Sequence, residues 1–353
     1  FRVHGLGHSP DMRVIVVGAT GNVGTSVLAA LEADPEVTSI VGVARRLPGA
    51  MGGKTAFRAA DISTDDLVEI FAGADVVIHL AWLFQPMRNP ILTWRNNVIG
   101  GIRVFNAVAE AGVPALVYAS SVGAYSPGGL VDESWPTHGW PGAPYGREKA
   151  YLERVLDVFE RDHSDIRVVR MRPGFIFKRE AATQQRRLFV GPLAPRPGRI
   201  PLVPDIPGLK LQILHTDDAA QAYRLAATRP VKGAFNIASE PVLDMPMVAE
   251  LLDARLVPVP AGLARVAVSA AWRLRLIPTM PGMLDIALHI PVMDTSRARE
   301  ELGWTPTHDS QEAILAFLKG LREGAGLDTA PLEPESGLAG RAREMATGVG
   351  QRP

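Results

Sequence analysis

Tyr145 and Lys149 stand four residues apart in the run YGREK, and Ser120 and Ser121 lie upstream in LVYASSVGAY. On a helix, positions i and i+4 share one face, so the phenol and the ammonium would point to the same side. Tyrosine ordinarily titrates near pH ~10 and is a poor base at neutrality. A neighbouring ammonium favours the phenolate and lowers that value. Tyr145 would then exchange a proton with a substrate hydroxyl, while a serine hydroxyl holds the same oxygen.

A second chemical signature lies near the start of the chain. Met12–Gly24 reads MRVIVVGATGNVG, with glycines at 18, 21 and 24. After a strand, Gly18 permits a tight turn, Gly21 lets the backbone approach a pyrophosphate, and Gly24 lets the next helix pack on the sheet. The helix then offers free N–H groups and a positive dipole end to phosphates. Gly18, Thr20, Gly21, Asn22, Val23 and Gly24 are therefore the candidate dinucleotide contacts. NAD sites usually place an acid about 20 residues further on for the ribose 2′-hydroxyl. Here no acid occurs from Ser39 to Ala60, and Arg45-Arg46 take its place. Two guanidinium groups suit a 2′-phosphate, which favours NADP over NAD. Asp61-Ile62 would border the adenine. The nicotinamide of such a cofactor would carry hydride while Tyr145 carries the proton.

The elements that must position these residues alternate. Strands are expected at Met12–Val17, Val37–Val43, Lys54–Ala60, Ala74–Leu80, Ala115–Ser120 and Ile166–Arg172, with helices at Asn22–Ala33, Ile91–Ala111 and Tyr145–Arg161 between them. That order specifies an α/β fold, a doubly wound parallel sheet of Rossmann type with a smaller C-terminal substrate-binding part. Ser120 and Ser121 end a strand, where open α/β sheets place their ligand crevice. Leu211–His215 reads as a strand returning to the sheet. The expected organisation is an N-terminal extension over 1–11 and a dinucleotide-binding domain over 12–175, to which 209–240 return. A substrate-binding part follows over 176–208 and 241–323, then a disordered tail over 324–353. Leu263–Leu276 reads as a packed helix with snorkelling arginines rather than a membrane-surface helix.

With these motifs in place, the chain resembles the extended short-chain dehydrogenase/reductases of the NAD-dependent epimerase/dehydratase family. The resemblance rests on VVGATGNVG, Asp61-Ile62, His79-Leu80-Ala81, Asn97-Val98-Ile99-Gly100, YASSVGAY, Tyr145-x-x-x-Lys149, Arg172-Pro173-Gly174, His215-Thr216-Asp217-Asp218 and Gly233–Ala238. They run in the family's order over residues 12 to about 320. The resemblance implies that Tyr145 is the acid/base and that Lys149 also holds the nicotinamide ribose. It implies that Ser121 orients substrate and that Asn97 supports the active-site lysine or its water. It also sets Leu80 and Ala81 beside the cofactor and Pro173 near the nicotinamide carboxamide.

One departure bears on substrate. Nucleotide-sugar enzymes of the family usually carry an asparagine three residues after the arginine and then an aromatic–Gly–Pro close. Here Phe175 takes the asparagine position, and Lys178-Arg179 replace Gly-Pro. A phenyl ring makes no hydrogen bond to a sugar or phosphate. The expected function is hydride transfer between NADP or NAD and a carbinol or ketone through Ser121, Tyr145 and Lys149. The alternatives are a nucleotide-sugar epimerase or dehydratase with internally recycled NAD, and a non-catalytic NAD(P)-sensing protein.

Composition sets the outer limits. The chain has 353 residues, 37 basic and 37 acidic, for a net charge of zero. That argues against a nucleic-acid partner, which calls for a basic excess. The cysteine count is zero, which excludes disulfides and thiolate metal sites and fits a reducing compartment. No histidine pair shows metal-ligand spacing, so no metal is expected. A small-molecule substrate, no membrane partner, a cytoplasmic location and compatibility with a homodimer complete the expectation.

Overall fold

The computed structural model describes residues 11–49, 52–191 and 198–334. The chain runs through β1 (Met12–Val17), α1 (Asn22–Glu32), β2 (Val37–Ala44), β3 (Thr55–Ala59), α2 (Val68–Phe71), β4 (Val76–His79), α3 (Pro90–Trp94) and α4 (Gly100–Glu110). It continues through β5 (Ala115–Ala119), β6 (Leu130–Val131), α5 (Pro144–Asp162), β7 (Arg167–Pro173), β8 (Phe175–Phe177) and α6 (Ala182–Gln185). Next come β9 (Leu202–Asp205), β10 (Ile213–His215), α7 (Thr216–Thr228), β11 (Gly233–Ile237), α8 (Met245–Leu251) and β12 (Arg255–Pro258). The last elements are α9 (Ala261–Arg273), α10 (Pro281–His289), β13 (Val292–Met293), α11 (Ser296–Glu300) and α12 (Ser310–Glu323).

Seven parallel strands form the main sheet in the order β11-β7-β5-β4-β1-β2-β3. The order reverses between β1 and β4, and open α/β sheets bind ligands at that switch point. β1 shows why the sheet is covered on both faces. Val14 and Val16 pack with Val27, Leu28 and Leu31 of α1 and with residues of α7. Ile15 and Val17 belong to a second cluster with Phe105 of α4 and Leu152 of α5. A continuous apolar run is what a strand buried on both sides requires. Each such side chain contributes about 1.5–3 kcal/mol on burial.

Four expectations need correction. Ile213–His215 does not return to the main sheet; it pairs in parallel with β8, and the seventh strand is β11 against β7. The short apolar run cannot say which edge it will join, because both edges offer the same hydrogen-bonding groups. The stretch Gly191–Gly208, which carries six prolines and is expected from its sequence to be a loop or small lid domain, holds β9, which pairs with β12, while 192–197 lie outside the described residues. Residues 324–334 are not a disordered tail: Leu332 is fully buried and Ala325 nearly so. Two anchoring side chains outweigh a composition rich in Gly, Ala and Pro, and 335–353 lie outside the described residues. Finally, α9 is less packed than expected. Only its Ala264 is buried, whereas Leu263 and Val266, and Leu274 just after it, are exposed.

Candidate active site

The glycine-rich turn closes against the end of β4. Gly18 has φ +89°, and a Cβ there would lie 2.7 Å from the Ala81 nitrogen. The Leu80 N–H donates to the Val17 carbonyl at 2.8 Å, which joins the two strand ends. A Cβ on Gly24 would lie 2.2 Å from the Gly18 carbonyl, so helix and turn touch backbone to backbone. Gly21 is different: a Cβ would meet only the Gly18 carbonyl at 3.5 Å, so its bareness serves open space outside the turn. Helix α1 begins at Gly21 with no side chain capping its first N–H groups. An uncapped helix start beside a bare glycine fits a pyrophosphate, so the residues present fit a dinucleotide. Thr20, Asn22 and Val23 lie in this same turn.

At the second strand's end, Arg45 and Arg46 are exposed beyond β2. Asp61 turns its carboxylate to the Ser63 N–H and hydroxyl, at 2.9 and 2.7 Å. Ile62 lies under Gly100, where a Cβ would meet its Cδ1 at 2.9 Å. Pro173 ends β7 opposite Ile237.

The chemical set lies along α5 and the end of β5. Tyr145 Oη donates to Ser121 Oγ at 2.8 Å. The same Oγ accepts the Gly123 N–H at 2.9 Å, so its two lone pairs are used and its own proton is free for a substrate oxygen. Gly123 is bare because the Tyr145 ring lies there: a Cβ would sit 2.7 Å from Cε1. Phe84 stacks on Tyr145 with centroids 5.2 Å apart, and Trp82 meets it edge-on at 5.6 Å. Lys149 is buried; its Nζ donates to the Ala119 carbonyl at 2.6 Å and lies 3.6 Å from the Trp82 ring centroid.

This arrangement corrects the expected electrostatics. Burial pushes the Tyr145 phenol up to about 12, against the lowering effect of its Ser121 hydrogen bond. Burial also pulls Lys149 down to about 7, with Glu148 and Glu153 working in the opposite direction. The ammonium is spent on a carbonyl and an aromatic face rather than on the phenol. Asn97 makes its contacts with the Leu83 backbone and with the residue before Lys149. Its side chain brackets the Leu83 backbone, accepting its N–H at 2.7 Å and donating to its carbonyl at 2.9 Å, and it donates to Glu148 at 2.7 Å. It therefore holds the loop that carries Trp82 and Phe84, from a π-helical turn at Arg95–Ile99, a distortion frequent at functional sites.

Several residues escaped the sequence reading. Trp82 and Phe84, whose sequence position after the fourth strand suits an apolar pocket wall and the core equally, are half-buried and flank Tyr145. Gln85 was not singled out, yet it pins this loop to the C-terminal part through the Leu188 and Pro278 carbonyls at 2.6 and 3.2 Å. Only its position after HLAWLF marked it. Phe175 does turn an apolar ring where the resemblance has an asparagine, and it packs with Val203, Ile213 and Leu243. Lys178 reaches back to α1, donating to the Asn22 carbonyl, Thr25 Oγ1 and Ser26 Oγ at 2.9, 2.7 and 3.0 Å. Glu133 accepts the Asn236 N–H and Asp132 binds its own turn at Ser134, so both serve structure.

His215, Asp218 and His308 meet, although no sequence spacing announced it. Asp218 accepts from Thr307 N–H and hydroxyl and from His308 N–H, and its carboxylate lies 2.9 Å from His308 Nδ1. The two imidazoles stack at 4.1 Å. These bonds tie the segment before α12 to the start of α7.

The fold and this set define a Rossmann-type α/β protein with a Ser–Tyr–Lys constellation beyond the end of β5. The model of the NAD dependent epimerase/dehydratase family matches residues 14–238, and the chain belongs to that family. An uncharacterized protein of Mycobacterium tuberculosis is 27% identical over 319 residues, covering 90% of this chain and 31% of that protein. The chain thus spans about a third of that relative's length. The UDP-glucose 4-epimerase of Neisseria meningitidis serogroup B is 31% identical over 160 residues, 41% of this chain and 47% of the enzyme. Among solved structures, MoeE5 in complex with UDP-glucuronic acid and NAD aligns with TM-score 0.66 and 20% identity, over 88% of this chain and 99% of that one. The UDP-glucose 4-epimerase of Thermotoga maritima with UDP-glucose aligns with TM-score 0.65 and 19% identity, over 88% and 99%. These likenesses establish the fold. Among the described residues, no helix is long and apolar enough to cross a membrane.

Proposed function

We propose that this chain oxidises a carbinol carbon or reduces the corresponding ketone, with Tyr145 moving the proton and Ser121 holding the substrate oxygen. The 2.8 Å contact between Tyr145 Oη and Ser121 Oγ, beside buried Lys149, carries this reading. The turn Gly18–Gly24 would hold the pyrophosphate, and Lys149 the nicotinamide ribose. A bound nicotinamide supplies the hydride acceptor or donor at the same carbon. Asn97 keeps the aromatic loop over the site and so limits water there.

A nucleotide sugar, epimerised with internally recycled NAD, is the first substrate class. It is supported by the named activities of the epimerase relatives and by the nucleotide-sugar ligands of the solved neighbours. This reverses the order expected from Phe175 alone. Net reduction or oxidation of an apolar carbinol or ketone is the second reading, favoured by the wall of Trp82, Phe84 and Phe189 beside Tyr145. NAD is the proposed cofactor. A preference for NADP rests only on Arg45 and Arg46 and gains no support from neighbours solved with NAD.

The test is a panel of uridine diphosphate sugars and apolar ketones, read by NMR for product and by absorbance for the reduced cofactor. A new epimer without net cofactor change supports the first reading. Stoichiometric cofactor turnover with a ketone supports the second. Cofactor binding without turnover of either class would favour the sensing alternative. Parallel titrations of NAD and NADP decide the cofactor.

A further inference from the structure

The segment after α12 is anchored at both its ends and its middle. Helix α12 ends at Gly324 in the left-handed conformation, which turns the chain back toward the sheet. Thr183 Oγ1 donates to the Ala325 carbonyl at 2.7 Å, in a buried bond. The segment then closes on itself: Leu327 N–H donates to the Leu332 carbonyl at 2.7 Å, and Leu332 N–H to the Thr329 carbonyl at 2.9 Å. Gly326 lies so close to the returning strand of this loop that a Cβ would sit 2.3 Å from the Leu332 carbonyl. Leu332 is fully buried, and Arg187 donates to the Pro334 carbonyl at 3.1 Å.

The middle of this loop reaches two points that belong to different strands. Thr329 Oγ1 donates to the Thr20 carbonyl at 2.9 Å, and both residues are buried. Thr20 lies between Gly18 and Gly21 in the turn after β1. One residue away, the Asp328 carboxylate lies 3.1 Å from where a Cβ on Gly49 would be. Gly49 follows β2, a few residues beyond Arg45 and Arg46. In this topology the ends of β1 and β2 are the two banks between which the adenosine half of a dinucleotide lies. The loop spans from one bank to the other.

We propose that residues 324–334 form a latch across the adenosine half of the dinucleotide groove, which must lift for cofactor to enter or leave. The inference rests on the dinucleotide reading above. Its hold is one buried side-chain hydrogen bond to the glycine-rich turn, one contact beside Gly49 and the seat of Leu332. Such a latch suits an enzyme that keeps its cofactor through many turnovers. It opens by movement of the segment after α12 rather than of the sheet.

The chain has no cysteine, so Gly49→Cys with Asp328→Cys introduces the only two thiols. A Cβ at Gly49 would lie 3.1 Å from the Asp328 carboxylate, so the two thiols are neighbours, and a disulfide needs their Cβ atoms brought to about 3.5–4.5 Å. Stopped-flow fluorescence of NADH follows binding and release in the full chain, with the cross-link verified by mass. Oxidation before loading should slow association at least about tenfold, oxidation after loading should slow release as much, and reductant should restore both. Thr329→Val, without any cross-link, should speed release about 2- to 12-fold, the worth of one hydrogen bond. Association and release that agree within about twofold between the oxidised and reduced forms would overturn the latch. So would a Thr329→Val release rate equal to that of the unaltered chain. A reduced double variant and an unaltered chain that both fail to bind NADH or NADPH would instead overturn the dinucleotide reading, and the latch with it.

Discussion

Helix α5 carries two buried polar sites on one stripe, at Tyr145, Lys149 and Glu153, and they are built differently. Glu153 is fully buried and saturated. It accepts Ser120 Oγ at 2.5 Å, Arg170 at 3.0 Å and Arg172 through two nitrogens at 3.0 Å each. Burial pushes its carboxyl up, but Arg172 and then Arg170 hold it down at about 2. Arg172 in turn donates to Tyr125 Oη at 2.9 Å, which donates to Asn236 at 2.7 Å. Two turns toward the N-terminus, Tyr145 has one hydrogen-bond partner and Lys149 has a carbonyl and an aromatic face. Every charge in the first site has a counter-charge; the second holds groups whose ionisation burial has made costly. A saturated network fixes structure, whereas an unsaturated one keeps chemical potential for a ligand.

The contrast can be broken at either end. The largest effect is expected for Tyr145→Phe, which should lower turnover about 10²–10⁴-fold while leaving cofactor affinity unchanged. Steady-state rates together with NADH titration check it, and a near-normal rate would remove Tyr145 from the chemistry. Glu153→Gln should destabilise the fold by about 3–5 kcal/mol, because buried Arg172 loses its counter-charge and Arg170 loses one of its three carboxylate partners. Urea denaturation measures this. Because the folded carboxyl sits at about 2, below its ordinary 4.5, its contribution is complete above about pH 4.5 and is lost as pH falls toward 2. The variant should lack that portion of the acid transition.

Lys149 should behave in the opposite sense. Its folded value of about 7 lies below the ordinary 10.5, so the unfolded chain binds more protons between them and stability rises with pH across that window. Lys149→Met should flatten this rise by about 1–2 kcal/mol between pH 7 and 9, read from denaturation midpoints at each pH. A slope equal to that of the unaltered chain would mean that Lys149 is well solvated. The smallest effect is expected for Trp82→Leu. It removes the aromatic face over Lys149 and should cost about 0.5–1 kcal/mol of stability, seen as a small drop in Tm.

Much of the fold was legible because its cause is local. Val14 to Val17 is an unbroken apolar run, and a chain with such runs between helical patterns can bury them only in a sheet covered on both faces. Gly18 and Gly24 were legible because a bare Cα is demanded by backbone contact, a requirement that leaves its mark at that residue. The pairing of Tyr145 with Lys149 followed from helical periodicity. Ser121 followed only from its place at a strand end, and its approach to Tyr145 needed the turn at Gly123.

What the residues alone determined, then, are features set within one element or one turn: the strands of the sheet, the phosphate turn, and the spacing of the polar groups along α5. What only the tertiary structure decided are partners far apart in the chain. Asn97, expected to support the lysine or its water, found Leu83 and Glu148 as its partners. The strand at Ile213–His215 chose β8 over the main sheet. Lys149 lost its influence on Tyr145 to Ala119 and Trp82. The segment 324–334, rich in Gly, Ala and Pro, was drawn in by Thr20 and by the burial of Leu332. Hydrogen bonds and burial pay no regard to sequence distance, and a donor's type does not name its acceptor. Those choices therefore become fixed only when the whole chain has packed.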